Sequence, residues 1–226
     1  MSSVKSIAID GPSGAGKSTL ARLLAEELGY LYVDTGAIYR TVGLFVLRSG
    51  VDPKNETQVA QLLKDLRIDM NYGSDGLQHM LLNGEDVTNE IRKNEVSMYA
   101  SYVSVFPAVR AFLLEMQRDM ARRFNVVMDG RDIGTQVLPE ANVKLFLTAD
   151  AKDRARRRYE ELLQREQHVD FSTVLKEIAE RDEQDTRRTA APLCQAEDAV
   201  LVDTTGNTLE KSFHVLLQTI KERLNQ

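Results

Sequence analysis

The chain has 226 residues, 42% hydrophobic and 28% charged, the make-up of a globular protein long enough to bury a core. Its 34 acidic and 29 basic side chains leave a formal net charge of −5, which argues against a nucleic acid polymer or an anionic membrane as the main partner. A single cysteine, Cys194, excludes an internal disulfide framework, and no apolar run approaches the ~20 residues of a membrane span. MSSVKSIAID has no signal-peptide pattern, so a cytoplasmic protein is expected.

Ser6 to Ile9 is a short apolar run that reads as a buried strand, ending at Asp10-Gly11-Pro12. A helix follows from Lys17, with Leu20, Leu23, Leu24 and Leu28 on one face and Gly29 as its stop. Tyr30 to Val33 predicts a second strand, Asp34-Thr35-Gly36 a turn, and Ala37 to Arg48 a helix. This rhythm argues for a parallel sheet with crossover helices. It breaks between about 67 and 88, where Ile68, Met70 and Tyr72 alternate with polar residues. Turn signals at Gly73 to Gly76 and Asn83-Gly84 then predict a small antiparallel meander. The α/β rhythm resumes with a helix from Pro107 to Arg123 and strands at 125–128 and 143–147. Residues 152–188 read as charged helix with a break near 167–170. A last strand at 199–202 precedes a closing helix. Asn207 and Glu210 suggest its capping box, and Leu209, Phe213, Leu216, Leu217, Ile220 and Leu224 its apolar stripe. One α/β domain with two excursions accounts for the whole pattern.

Gly11-Pro12-Ser13-Gly14-Ala15-Gly16-Lys17-Ser18-Thr19 matches the phosphate-binding loop, with a strand before it and a helix after it. Glycines let successive N–H groups turn inward, and the helix N-terminus adds partial positive charge. Lys17 would reach the β- and γ-phosphates, and Ser18 would offer its hydroxyl to Mg²⁺. Asp129 stands at a strand end, where open parallel sheets face their ligand, and is a candidate for Mg²⁺ directly or through water. Arg131 beside it suits a second phosphate, and Asp132 could accept from a base or sugar; a surface ion pair is the plain alternative. Asp34 to Arg40 opens at the end of the second strand, and Arg40 could offer a bidentate fork to a phosphate.

These segments together resemble the bacterial cytidylate kinases. The match runs through 11–19, Asp34-Thr35-Gly36-Ala37-Ile38-Tyr39-Arg40 and Asp129-Gly130-Arg131-Asp132-Ile133-Gly134. It continues in Gly84 to Val87, Glu90 to Arg92, Phe106 to Arg110 and Glu180 to Pro192, nearly the whole chain in the family's order. The resemblance implies a three-layer P-loop fold with a central parallel sheet, an acceptor-binding insert containing the small meander, and a helical lid. It implies a core of 1–34, 107–150 and 190–226, an insert of 35–106 and a lid region of 151–189. The implied reaction moves the γ-phosphate of ATP to CMP or dCMP with Mg²⁺, in a monomer acting on small molecules. Carried over by position, Ser101, Arg110 and Asp132 would bond the cytosine. Asp34, Arg181 and Asp185 would hold the sugar, and Arg40, Arg131 and Arg188 the acceptor phosphate. Arg157 and Arg158 would belong to the lid, with Arg154 a weaker candidate. Ser18 stands where some members have glycine, and Thr35 where some have serine; each keeps a plausible role.

Acceptor (Asp132), hydroxyl (Ser101) and donor (Arg110) suit cytosine's amine, N3 and O2, whereas uracil would turn a carbonyl toward Asp132. Other functions compete. A regulatory GTPase usually carries an Asn-Lys-x-Asp segment, which is absent here. An assembly ATPase would use an arginine from another subunit. A kinase of the same fold acting on shikimate, adenylate or dephospho-coenzyme A differs only in its acceptor-side residues. His79, His168 and His214 have no metal-ligand spacing, and Cys194 has no catalytic partner in view. If the arginines converge as the resemblance implies, an acidic protein should hold a strongly positive cleft.

Overall fold

The structure, a computed structural model, describes residues 4–73, 76–164 and 169–225. The turn predicted at 73–76 and the helix break predicted near 167–170 therefore lie partly outside the described residues, as does His168. The chain divides into two compact units, Met1–Tyr32 with Ala121–Gln226, and Val33–Met120.

The first unit is built on β1 (Ser6–Asp10), followed by α1 (Lys17–Leu28). β2 (Leu31–Asp34) carries the chain to the second unit. There α2 (Thr35–Arg48), α3 (Glu56–Leu62), β3 (Ile68–Tyr72), β4 (Gln78–Leu82), β5 (Glu85–Asp86) and α4 (Asn94–Val103) follow. α5 (Pro107–Arg123) belongs to the second unit as far as Met120, and the first unit is completed by β6 (Val126–Asp129), β7 (Val143–Thr148), α6 (Ala151–Gln164), α7 (Phe171–Arg187), β8 (Val200–Asp203) and α8 (Leu209–Leu224).

The large sheet has the order β2-β6-β1-β7-β8, and β1–β6, β1–β7 and β7–β8 are parallel pairs. β1 is thus central, and the strand order departs from it in both directions. That is where an open α/β sheet leaves its crevice, at the carboxyl ends of the strands. Asp10 and Asp129 both stand at those ends. The core beneath is apolar and closed: Ile7, Ile9, Leu145 and Leu147 meet Leu20 and Leu24 of α1 and Leu216 and Ile220 of α8. α1 needs no special sequence beyond its leucine spacing, and Gly29 ends it in the left-handed conformation (φ +66°) as predicted. α6 and α7 form a hairpin with its own small core of Ala155, Leu162, Val174 and Ile178, closed by an edge-to-face pair of Tyr159 and Phe171.

In the second unit β3-β4-β5 is the predicted antiparallel sheet, with Met70 opposite Met80 and Ile68 opposite Leu82. Asn83 (φ +50°) and Gly84 (φ +89°) are both left-handed, which is the hairpin geometry their sequence calls for. α2 and α4 cross closely at Gly43, where a Cβ would come 2.6 Å from Ala100 N.

Two predicted details differ. α8 is capped by Thr208, whose hydroxyl accepts from Lys211 N at 3.2 Å, one residue later than the Asn207 box. Leu209 is consequently half exposed and leaves the apolar stripe. The helices α3 and α4 had no marked place in the sequence pattern, because each is short and buries only one to three side chains. Among the described residues no single helix is long and apolar enough to cross a membrane.

Candidate functional site

The chain leaves β1 through a turn that only glycine fits. Gly11 has φ +146°, and a Cβ there would stand 2.0 Å from Leu147 O. Gly16 (φ +86°) then opens α1 with no side-chain cap, so the first amides of the helix remain available to an anion. The whole loop 11–19 is arranged round this opening. Ala15 is buried, Pro12, Ser13 and Gly14 are half-buried, and Ser18 and Thr19 are exposed. Lys17 folds back over the loop, donating from Nζ to Pro12 O at 2.7 Å. Burial, with Arg131 beside it, pulls the Lys17 ammonium well below its usual pKa; Asp129 and Asp185 offset part of that. A bound phosphate would restore its charge.

Asp129 faces the same opening. Its Oδ2 accepts from Ser18 Oγ at 2.8 Å and its Oδ1 from Tyr32 OH at 2.9 Å. The pair of a hydroxyl and a carboxylate is a hard-oxygen set. It suits Mg²⁺, which keeps few protein ligands and shares the rest with phosphates and water.

Arg131 and Asp132 leave the end of β6 on a turn that widens into a π-type helical turn, Ile133–Val137. Asp10 holds this turn from the end of β1, its two carboxylate oxygens accepting from Ile133 N at 2.8 Å and Gly134 N at 2.7 Å. Burial nevertheless raises the Asp10 pKa from 3.8 to about 6, against the lowering effect of those two amides.

α7 brings the next group. Arg131 Nε donates to Asp185 Oδ2 at 2.7 Å. Arg188 Nη2 donates to Asp132 Oδ1 at 3.2 Å, and its Nε to Ala191 O at 2.6 Å. Arg188 Nη1 lies 3.9 Å from Asp185 Oδ1. Burial alone would raise the Asp185 pKa, but Arg131 and Arg181 outweigh it and hold the carboxyl below its ordinary range. Burial would likewise pull Arg131 down, but Asp185 more than offsets it and holds the guanidinium above its usual value.

α6 lies against the phosphate loop. Arg157 donates to Thr204 O at 2.6 Å and Thr204 Oγ1 at 3.0 Å, with a longer bond to Ala15 O at 3.4 Å. Arg158 is paired with Glu161 at 2.9 Å on a half-exposed face. Arg154, the weaker candidate by sequence, is the most deeply buried of the three.

The first unit therefore brings together 11–19, Asp129, Arg131, Asp132, Arg157, Arg181, Asp185 and Arg188. Four expected residues belong to the second unit. Asp34 caps α2 by accepting from Ala37 N and pairs with Arg40 at 2.9 Å. Arg40 Nε is buried without a hydrogen-bond partner among the described residues, an open donor that an anion would satisfy. Arg110 lies over the Tyr39 ring, 5.7 Å from its centroid, and donates to Ser104 O; Ser104 Oγ in turn donates to Ser101 O.

Sequence reasoning missed Asp10, Tyr32, Gln78 and Asp182, and ranked Arg154 below Arg157 and Arg158. Asp10 had a usable signal, since it ends a strand as Asp34 and Asp129 do. Gln78, whose side chain accepts from Asp34 N at 2.8 Å, had none: it reads as one polar residue of an alternating strand.

A family model described as cytidylate kinase matches residues 7–222. The cytidylate kinase of Carboxydothermus hydrogenoformans is 50% identical over 214 residues, covering 95% of this chain and 96% of its own. That of Caldicellulosiruptor bescii is 49% identical over 212 residues, covering 94% and 93%.

Proposed function

The chain belongs to the cytidylate kinase family, and we propose that it transfers the γ-phosphate of ATP to CMP or dCMP, giving ADP and CDP or dCDP in pyrimidine nucleotide metabolism. The observation that carries this is the buried array Arg131–Asp185–Arg188–Asp132, in which two arginines and two carboxylates alternate within reach of the phosphate loop's lysine. Arginines of that kind suit the acceptor's phosphate, and carboxylates suit a sugar hydroxyl and an exocyclic amine.

The loop amides of 11–19 and Lys17 hold the donor phosphates. Ser18 and Asp129 would hold Mg²⁺, which would supply neutralisation of charge on the donor phosphates. An oxygen of the acceptor phosphate attacks the γ-phosphorus, the bond to the β-phosphate oxygen breaks, and ADP leaves. Little covalent help is needed; alignment and neutralisation by Arg131 and Arg188 are what the protein supplies. Arg40 serves the acceptor phosphate, a role its open Nε supports. Ser101 and Arg110 join Asp132 on the cytosine, and Asp34, Arg181 and Asp185 hold the sugar. Residues 35–106 are the acceptor-binding insert within a single kinase domain whose core is 1–34, 107–150 and 190–226. Residues 151–189 are the lid, a role supported by the separate small core between α6 and α7. Arg157 and Arg158 close over the donor with that hairpin, excluding water from the transferred group. The enzyme works as a cytoplasmic monomer on free nucleotides, with neither a nucleic acid polymer nor a membrane as partner.

The test is a panel of all nucleoside monophosphates with ATP and Mg²⁺ in a coupled ADP-release assay. CMP and dCMP should be good acceptors and UMP poor. Equal turnover of UMP, or of AMP or GMP, removes the assignment of Asp132 to the cytosine amine.

A further inference from the structure

Arg154 sits on α6 but is not one of that helix's solvated charges. Its side chain is 7% exposed and is spent in three directions. Nε donates to Ala149 O at 2.9 Å and Nη1 to Ser13 O at 3.0 Å, and Nη2 forms an ion pair with Asp182 Oδ2 at 2.7 Å. Ser13 belongs to the loop that receives the donor phosphates. Asp182 belongs to α7, one residue past Arg181 and three before Asp185. The other oxygen of Asp182, Oδ1, is buried and meets no hydrogen-bond partner among the described residues, so the Arg154 contact is what fixes this carboxylate.

The link is also steric. A Cβ on Gly14 would come 2.8 Å from Arg154 O and 3.0 Å from Arg154 Cβ, so loop and helix touch with no slack between them. A guanidinium is planar and offers its donors at fixed angles. Three partners held by one such group cannot shift independently. A displacement of Ser13 must be passed to Asp182 or break either the Arg154–Ser13 bond or the Arg154–Asp182 ion pair.

We infer that Arg154 is a positioning residue coupling the two nucleotide sites. Donor phosphates that order the loop at Ser13 set Asp182 through Arg154. Because Asp182 shares α7 with Asp185, and Arg188 follows directly at the end of that helix, the acceptor groups are set with it. Coupling of this kind is reciprocal, so each nucleotide must tighten the other by the same factor. The inference rests on the ATP and CMP assignment made above.

The experiment is calorimetric titration of CMP with and without a non-hydrolysable ATP analogue, and of the analogue with and without CMP. The wild-type chain should show affinity ratios of about 5-fold or more, equal in both directions. Arg154→Lys keeps the charge but cannot reach three acceptors, and should bring both ratios below about 2-fold. Asp182→Asn cuts the same link at its far end and should do likewise, which guards against a poorly folded Arg154 variant. A merely structural role would lower both affinities and thermal stability but leave the ratio in place. Wild-type ratios near one, or variants that keep the wild-type ratio, overturn the coupling. A wild-type chain that binds the analogue but no cytidylate overturns the kinase assignment itself, and the coupling with it.

Discussion

Asp10→Asn separates two effects that usually arrive together. The carboxylate accepts two backbone amides, Ile133 N at 2.8 Å and Gly134 N at 2.7 Å, and is 4% exposed. Asparagine offers one oxygen, so one buried N–H would face an NH₂ group, a loss of roughly 1–3 kcal/mol. Against this stands the cost of keeping the native group ionised. Burial raises its pKa from 3.8 to about 6. At about 1.4 kcal/mol per pKa unit, ionised Asp10 costs the fold about 3 kcal/mol at neutral pH. The sign follows from the raised folded pKa. Below the unfolded value both states are protonated and the cost is absent; it grows as pH rises toward about 6 and is full above that. At neutral pH the two terms nearly cancel, and Asp10→Asn should lie within about 2 kcal/mol of wild type. Between pH 4.5 and 7.5 the variant should gain on wild type by about 2 kcal/mol, read as the change in their urea-unfolding difference. The acceptor side should behave oppositely. The turn Asp10 holds carries Arg131 and Asp132, so the KM for CMP should rise about 10-fold with the KM for ATP little changed. A stability difference that does not move with pH would refute the burial argument, and an unchanged CMP KM would refute the clamp.

Asp132→Ala should lower the CMP rate and bring CMP and UMP within about 10-fold of one another in the same assay, because the group that distinguishes amine from carbonyl is gone. Asp129→Asn should lower kcat by about 100-fold or more and shift the Mg²⁺ dependence to higher concentration. Gly11→Ala places a methyl 2.0 Å from Leu147 O in a backbone region hostile to side chains, and should cost about 3 kcal/mol or more, a fall of roughly 6–12 °C in Tm by calorimetry.

What was legible in the sequence follows from what is local. The phosphate loop is specified by neighbours within one turn, so glycine spacing, Lys17 and Ser18 could be read without any tertiary information. The strand-end aspartates were legible by a rule about parallel sheets, which found Asp129 and Asp34 and would equally have found Asp10. Arg154 was visible only as the weakest of three candidates, because a buried strut and a solvated helix charge have the same spacing. Its three partners come from residues 13, 149 and 182, and only the crossing of α6 over the loop makes them neighbours. Asn207 against Thr208 shows the limit on the other side. Both residues can cap a helix, and the choice between them turns on one backbone torsion pair that no pattern encodes.

The expectation of a strongly positive cleft changes most. In the first unit the buried cations Lys17, Arg154 and Arg188 come with the buried carboxylates Asp10, Asp129, Asp132 and Asp185. An arginine taken out of water needs such partners, or its desolvation would exceed anything a phosphate returns. Pairing also fixes direction: Arg131 is aimed by Asp185 and Arg188 by Asp132, so neither must be ordered when a nucleotide arrives. The cost is that a phosphate bound there would share each guanidinium with a carboxylate already in place. On the proposed assignment charge alone would not select the acceptor. Its sugar and base would have to contribute, and the carboxylates that weaken the field are the groups chemically suited to read them.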